Sequence, residues 1–448
     1  MNRPIVAPAQ PWTFPTARTE TLTNGLQVQL FHRPGQHLIN ATMVIEQPLN
    51  AEPPAIEGVA AILRRCLDEG TLSHPGTGYA EELERHGAAI GGGVSLNAAH
   101  VSLEVPSTRF ADALPLFSEA IIEPALAEAD VARHVELRLA EIEQHRAHPV
   151  HRVGQEFRAA VVAPQFRAAR PTAGSAATVA AINPGQVRDQ HQRFFRPGNS
   201  TLVLAGDFGH DPLPLIEQTF AAWSGAGPVL DHESPRAGSP AGVLIHRPGA
   251  VQANVRLGGF GLDRTDPRLP ALRLGTFALG GGFLSRLNRV LREERGYSYG
   301  VSLTNTPARS GGWLTFGASF RTEVAVAAIA EAKKLMSVRG AAITATELGD
   351  AVNFLIGVTP LRCATAAGVT DQVAGLVEVG LDADFVNRHS AALQQVSPAD
   401  ATAAVAELLP TDALTMVVVG DADTLAEPLK SLAPDLQVID DRVSDPSA

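Results

Sequence analysis

Arg292 and Tyr299 stand seven positions apart in LGGGFLSRLNRVLREERGYSYGVS, residues 279–302. A guanidinium is permanently charged and carries five N–H donors, and a phenol adds one O–H donor. Aimed at a peptide carbonyl, the pair would hold a backbone and stabilise the negative charge that builds when water attacks. The plainer reading gives Arg292 a helix-surface ion pair with Glu293 or Glu294 and makes Tyr299 a core aromatic. Gly280, Gly281 and Gly282 open the same stretch. They lack the Lys-Ser/Thr of a phosphate loop and the spacing of a dinucleotide fingerprint. A tight turn before a helix accounts for them, and a flexible loop facing a substrate is the second reading. Another group with ligand atoms is Glu141, His145, His148 and His151. Glu141 and His145 share a helix face, and His148 precedes Pro149, where a helix tends to end. A metal site is one reading; exposed histidines favoured by a helix C-terminus are the other.

The stretch 279–302 resembles the C-terminal-half signature of the zinc peptidases grouped with pitrilysin and the mitochondrial processing peptidase. Arg292 and Tyr299 match that family's Arg/Tyr pair. The stretch GVAAILRRCLDEGT, residues 58–71, resembles the family's zinc helix in frame, down to Gly70 and Thr71. The His-x-x-Glu-His core of this inverted zincin motif is missing. Ala61, Arg64 and Arg65 stand where the first His, the Glu and the second His would be. The family's third ligand is a Glu on a later helix, and Glu141 lies at a matching distance. His134 replaces an auxiliary acidic residue seven positions earlier. TLTNGLQVQL and FRPGNSTLVLAGDF resemble the family's opening and domain-closing strands, so the likeness spans nearly the whole chain.

In an intact motif two His one turn apart ligate zinc, and the Glu activates water. Ala61 has no donor atom. Arg65 has no lone pair, and Arg64 cannot take a proton from water. The resemblance therefore implies a chain that binds no cofactor itself. Zinc is expected in a homologous partner subunit with the intact motif. This chain would supply Arg292 and Tyr299, with Gly280, Gly281 and Gly282 facing the peptide substrate. Two rivals remain: a purely structural pseudo-peptidase subunit, and an autonomous hydrolase with a displaced metal site around Glu141, His145 and His148. Gly91–Gly93, before a strand resembling the family's substrate-pairing edge, could receive an added peptide strand.

The elements that position these residues repeat. LFHRPG at 30–35 returns as LIHRPG at 244–249, and LVLAGD at 202–207 returns as MVVVGD at 416–421. Both pairs are offset by 214 positions, which signals two similar domains. The segment SGAGPVLDHESPRAGSPA lacks periodicity and reads as a linker. The expected division is a domain at 15–224, a linker at 225–241 and a domain at 242–439. Asn24-Gly25 marks a tight turn between strands. Strands are expected at 39–46, 88–96, 99–105 and 200–205, and helices from 57, over 79–86 and through much of 109–195. The fold class is α+β: two homologous domains, each a mostly antiparallel sheet with helices on one face. Family members pair two such subunits into a clam-shell, of which this chain would be half. The first dozen residues and the tail DDRVSDPSA read as poorly ordered ends.

The 448 residues are 45% hydrophobic and 19% charged, a globular composition. A net charge of −11 argues against nucleic acid as a partner. Arg64, Arg65, Arg286, Arg289, Arg292 and Arg295 are candidates for a local basic surface. No apolar run reaches membrane-spanning length, so a soluble protein with no membrane partner is expected. The N-terminus lacks the apolar core of a secretory signal. It is cytoplasmic as written, or periplasmic if a leader was removed. Two cysteines make no disulfide framework, and Cys66 reads as a small buried hydrophobe.

Overall fold

The computed structural model describes residues 12–440. The two expected ends lie outside the described residues, apart from Trp12 and Asp440. The first sheet contains β1 (Arg18–Thr21), β2 (Gln27–His32), β3 (Leu38–Glu46), β4 (Ala89–Val94), β5 (Ala98–Pro106) and β6 (Ser200–Gly206). Its order is β1-β2-β6-β3-β5-β4. The second contains β7 (Gly242–His246), β8 (Gln252–Gly261), β9 (Val301–Pro307), β10 (Gly312–Arg321), β11 (Thr415–Gly420) and β12 (Gln437–Asp440), in the order β12-β7-β11-β8-β10-β9. Pairing is antiparallel except where β2 meets β6 and where β7 meets β11 and β12.

The sequence repeat is a structural one. Leu30 opposes Leu204 across β2 and β6, and Leu244 opposes Val418 across β7 and β11. The two sheets differ at one edge, where β1 runs antiparallel to β2 but β12 runs parallel to β7.

Helices cover both faces of each sheet, not one. Along β6, Leu202 and Leu204 point into the first core with Val59, Ile62 and Phe117. Val203 and Ala205 point the other way, against Val369, Val373 and Leu376 of the helix Ala366–Val377. The second sheet repeats this. Val418 faces its own helices, while Val417 and Val419 meet Val153, Phe157 and Val161 of the helix Pro149–Val161. Each half thus lends a helix to the other half's sheet. This explains the unbroken apolar runs LVLA and MVVV, since a strand buried on both faces cannot alternate.

Residues 225–241 form no helix or strand beyond one bridge between Val162 and Ala237. They are nevertheless tied down. Glu233 accepts from the backbone N–H groups of Arg167 and Ala168 at 2.9 Å and 3.3 Å. Among the described residues no single helix is long and apolar enough to cross a membrane. One bent helix pair, Ala345–Arg362 and Ala366–Val377, passes by length and composition, but its second member is the one packed on the first sheet.

Candidate functional site

The helix Val59–Cys66 carries the altered zinc motif. Its apolar positions Val59, Ile62, Leu63 and Cys66 are buried at helical spacing. No side chain at its N-cap, Gly58, satisfies the first N–H groups. Glu52 does so from outside, accepting from Gly58 at 3.2 Å and Ala60 at 3.0 Å. Glu52 is buried, which raises its carboxyl above the usual range against the pull of these donors and Arg167. Arg167, also buried, donates to it at 3.1 Å. Arg170 grips Glu57 at 2.7 Å. A network of far-separated residues therefore sets the helix start.

Arg65 points across to Glu141 on the helix Glu128–Ala147. The two form a two-pronged pair, Nη1 to Oε1 at 2.9 Å and Nη2 to Oε2 at 2.7 Å. Arg138 adds a contact to Oε2 at 3.3 Å. These hydrogen bonds, Arg65 first, hold the Glu141 carboxyl below its ordinary range. Arg64 is buried and turns to the sheet, donating from Nε to the His100 carbonyl at 3.2 Å. Burial lowers its pKa despite Asp68. Ala61 lines the adjoining cleft, a space of about 540 Å³ shared with Asp68, Glu69 and Gly93. His134 bonds Glu69 at 2.7 Å. The zinc implied for an intact motif does not fit this donor set. The one matching carboxylate is engaged by two guanidinium groups, and the other positions offer a methyl group and two cations.

The edge of the cleft is β4, which among the described residues pairs only with β5. Gly91–Gly93 lie inside this strand rather than before it. Gly92 has φ +129°, and a Cβ there would meet the His100 carbonyl oxygen at 2.0 Å and Arg64 Nε at 2.9 Å. Glycine here is what lets Arg64 lie against the strand pair.

His145, His148 and His151 are exposed; the His145 and His151 rings stack with centroids 4.5 Å apart, and His148 meets His151 edge-on at 5.0 Å. Desolvation within this stack, followed by His151, lowers the His145 pKa. They do not form a ligand set with Glu141. Among the described residues, the group whose ligand atoms converge within 4.8 Å is His246, Asp421 and Asp423. There His246 Nδ1 accepts the Ala422 N–H at 2.9 Å, so its lone pair caps a helix. Cys66 is buried as expected, and burial pushes its thiol up to about 12.

Arg292 sits on a widened, π-helical turn, Asn288–Glu294. Gly296, at φ +61°, ends it, and the Tyr297 N–H returns to the Leu291 carbonyl at 2.8 Å. The Arg292 side chain is only 14% exposed. Its guanidinium stacks on Phe283, 3.7 Å from the ring centre, and bonds Glu293 at 2.8 Å. The neighbour ion pair is therefore present. Tyr299 is 99% exposed and precedes β9, and the aromatic that joins the core is Tyr297. The glycine run has ordinary φ values, so close packing rather than a tight turn accounts for it. A Cβ on Gly280 would meet Leu303 at 2.7 Å, and Gly281 and Gly282 rest on the Phe277 ring. Gly280 is buried, while Gly281 and Gly282 reach the surface.

Sequence reasoning missed Asn288. Buried, it donates to the Gly282 carbonyl at 3.1 Å and the Val301 carbonyl at 3.0 Å, and accepts the Val301 N–H at 3.0 Å. It pins the glycine run, the Arg292 turn and β9 together. Five of the six arginines lie beside an acid, Arg64 being 3.5 Å from Asp68. Arg286 is buried with Glu347 at 2.9 Å, Arg289 faces Glu294 at 3.7 Å, and Arg292 and Arg65 have the acids named above.

Two profiles of one peptidase family match the chain. "Insulinase (Peptidase family M16)" matches residues 27–174, and "Peptidase M16 inactive domain" matches residues 181–355. The chain is similar to an uncharacterized zinc protease of Mycobacterium tuberculosis, 27% identical over 360 residues, or 79% of this chain and 82% of that one. The fold is similar to a crystal structure of a peptidase M16 inactive domain from Pseudomonas fluorescens, at TM-score 0.82 and 24% identity, covering 90% of this chain and 98% of the other. A protease from Helicobacter pylori superimposes at TM-score 0.79 and 16% identity, covering 91% and 100%. With both of the family's domain profiles matched in order and the two-sheet architecture in common, the chain belongs to peptidase family M16.

Proposed function

We propose that this chain is the non-catalytic subunit of a two-chain zinc peptidase. A homologous partner carrying His-x-x-Glu-His supplies the metal and the water-activating Glu. This chain supplies Arg292 and Tyr299, which hold the substrate backbone and stabilise charge on the attacked carbonyl. Gly281 and Gly282 belong to the same substrate-facing surface. The division into domains at 15–224 and 242–439 and the half-clam-shell shape go with this reading. Unfolded peptides are the substrate class, because a closing chamber excludes folded proteins.

The observation that carries it is a contrast within one chain. At the degenerate motif Arg65 is spent on Glu141, whereas the Tyr299 phenol stands in solvent with nothing to do for the fold. The test is a mixture of this chain with a family member holding the intact motif. Arg292→Ala and Tyr299→Phe are expected to lower turnover without releasing the partner. Unchanged turnover with both substitutions favours a purely structural subunit.

A further inference from the structure

Arg256 of β8 stands in a row that crosses the second sheet: Val417 of β11, Arg256, Gly317 of β10 and Ser302 of β9. Opposed residues share a sheet face, here the face on which Val417 meets the helix Pro149–Val161. That helix lies over β8 and β11. Beyond it, the edge strand β9 keeps Ser302, Thr304 and Thr306 exposed, alternating with buried Val301 and Leu303. Gly317 has no side chain, so the Arg256 guanidinium lies across it toward Ser302. A Cβ on Gly317 would meet Arg256 Nη1 at 2.9 Å, its Cζ at 3.1 Å and Ser302 Oγ at 3.2 Å. Arg256 is half-buried, and its Nη1 donates to the carbonyl of its own neighbour Val255 at 3.0 Å. Among the described residues no carboxylate acts on it, and burial alone lowers its pKa.

The duplicated half shows that the fold does not need this charge. The matching row of the first sheet is Val203, Thr42, Ser102 and Gly91, and Thr42 precedes Arg256 by the repeat offset of 214 positions. We propose that Arg256 and the Ser302 hydroxyl form a carboxylate-recognition site on the open part of this face, and that it selects peptides bearing an acidic group. A cation drawn partly out of water without a partner is held at a cost. A carboxylate removes that cost, because a guanidinium fork can donate to both of its oxygens, and the hydroxyl adds one donor. Ser302 lies three positions beyond Tyr299, and Asn288 ties the start of β9 to the Arg292 turn. The strand thus leads from the proposed substrate-holding pair to this row, and the site rests on that peptide-holding reading. The carboxylate belongs either to an Asp or Glu side chain or to a peptide C-terminus.

The test is binding of fluorescein-labelled decapeptides to the full chain, read by fluorescence anisotropy. One amidated set carries a single Glu at each position in turn, with Gln twins; a further pair without acidic side chains differs only in a free or amidated C-terminus. In at least one pair, wild type is expected to bind the carboxylate form about tenfold tighter than its neutral twin. A difference confined to the last pair assigns the site to a C-terminus. Arg256→Gln should erase the difference and leave affinity for the neutral twin unchanged. Arg339→Gln, an exposed residue paired with Asp412, should keep it. Gly317→Ala, whose Cβ displaces the guanidinium, should erase it with Arg256 still present, and decides the matter if Arg256→Gln does not fold. A preference that persists in both Arg256→Gln and Gly317→Ala overturns the site. Equal binding of every pair by wild type overturns it too, and leaves the peptide-holding reading standing. Binding of no peptide at all overturns both.

Discussion

Replacing Arg65 by alanine removes the two shortest bonds that Glu141 accepts, at 2.9 Å and 2.7 Å, and leaves Arg138 at 3.3 Å. A charge-assisted hydrogen bond shielded from water contributes about 1.5–3 kcal/mol, and an exposed ion pair about 0.2–1 kcal/mol. The Arg65 and Glu141 side chains are 34% and 36% exposed, so solvent screening applies. The fixed two-pronged geometry works in the other direction. A coupling of about 1–2 kcal/mol results. The assay is a double-mutant cycle of Arg65→Ala and Glu141→Ala by urea unfolding at neutral pH. Arg65→Lys keeps the charge but loses the fork, and should retain less than half of the coupling. The pH dependence has a definite sign. The folded Glu141 pKa is depressed below its ordinary 4.5, so the coupling is whole above that value and is lost as pH falls through the folded value. A coupling below about 0.3 kcal/mol at neutral pH, within the usual error of additivity, refutes the reading of Arg65 and Glu141 as a working ion pair.

Arg167→Ala leaves the Glu52 carboxylate buried and unpaired, and should cost about 3–5 kcal/mol in urea unfolding; joint replacement with Glu52→Gln should recover part of that loss. Asn288→Ala removes three side-chain bonds to the Gly282 and Val301 backbone, and should cost about 2–4 kcal/mol with faster amide hydrogen exchange from Gly282 to Val301. His389 is expected to stay neutral to about pH 4 in ring-proton NMR. Because its folded value lies below the unfolded 6.5, its contribution to stability is whole above 6.5 and is lost as pH falls toward 4. Tyr299→Phe should leave unfolding within about 0.5 kcal/mol of wild type, because the side chain is exposed, while turnover of the two-chain assembly falls.

Local signals in the sequence were sound where local physics decides the outcome. The paired hexapeptides LVLAGD and MVVVGD predict two like units, and their strands do occupy matching places in the two sheets. Pro149 after His148 predicts the break between two helices, and the helix ends at Ala147. What was not legible depends on distance along the chain. Nothing in HRVGQEF, residues 151–157, announces that the stripe of Val153 and Phe157 meets β11, more than 250 positions later. The motif frame puts Arg65 and Glu141 at two ligand positions of one site, and the two do meet. Glu52 and Arg167 carry no such signal, and their pairing is purely tertiary. Near Tyr299 the difficulty was register. Two tyrosines lie two positions apart, and only the path after Gly296 decides that Tyr297 enters the core and Tyr299 faces water.

In the proposed assembly the metal and the substrate-holding pair reside on different chains. The most direct measurement is peptide cleavage, with zinc content, for this chain alone, for a homologue with the intact motif alone, and for their mixture. Full activity is expected only in the mixture, with zinc only in the homologue. Stoichiometric zinc and peptide cleavage in this chain alone would contradict it.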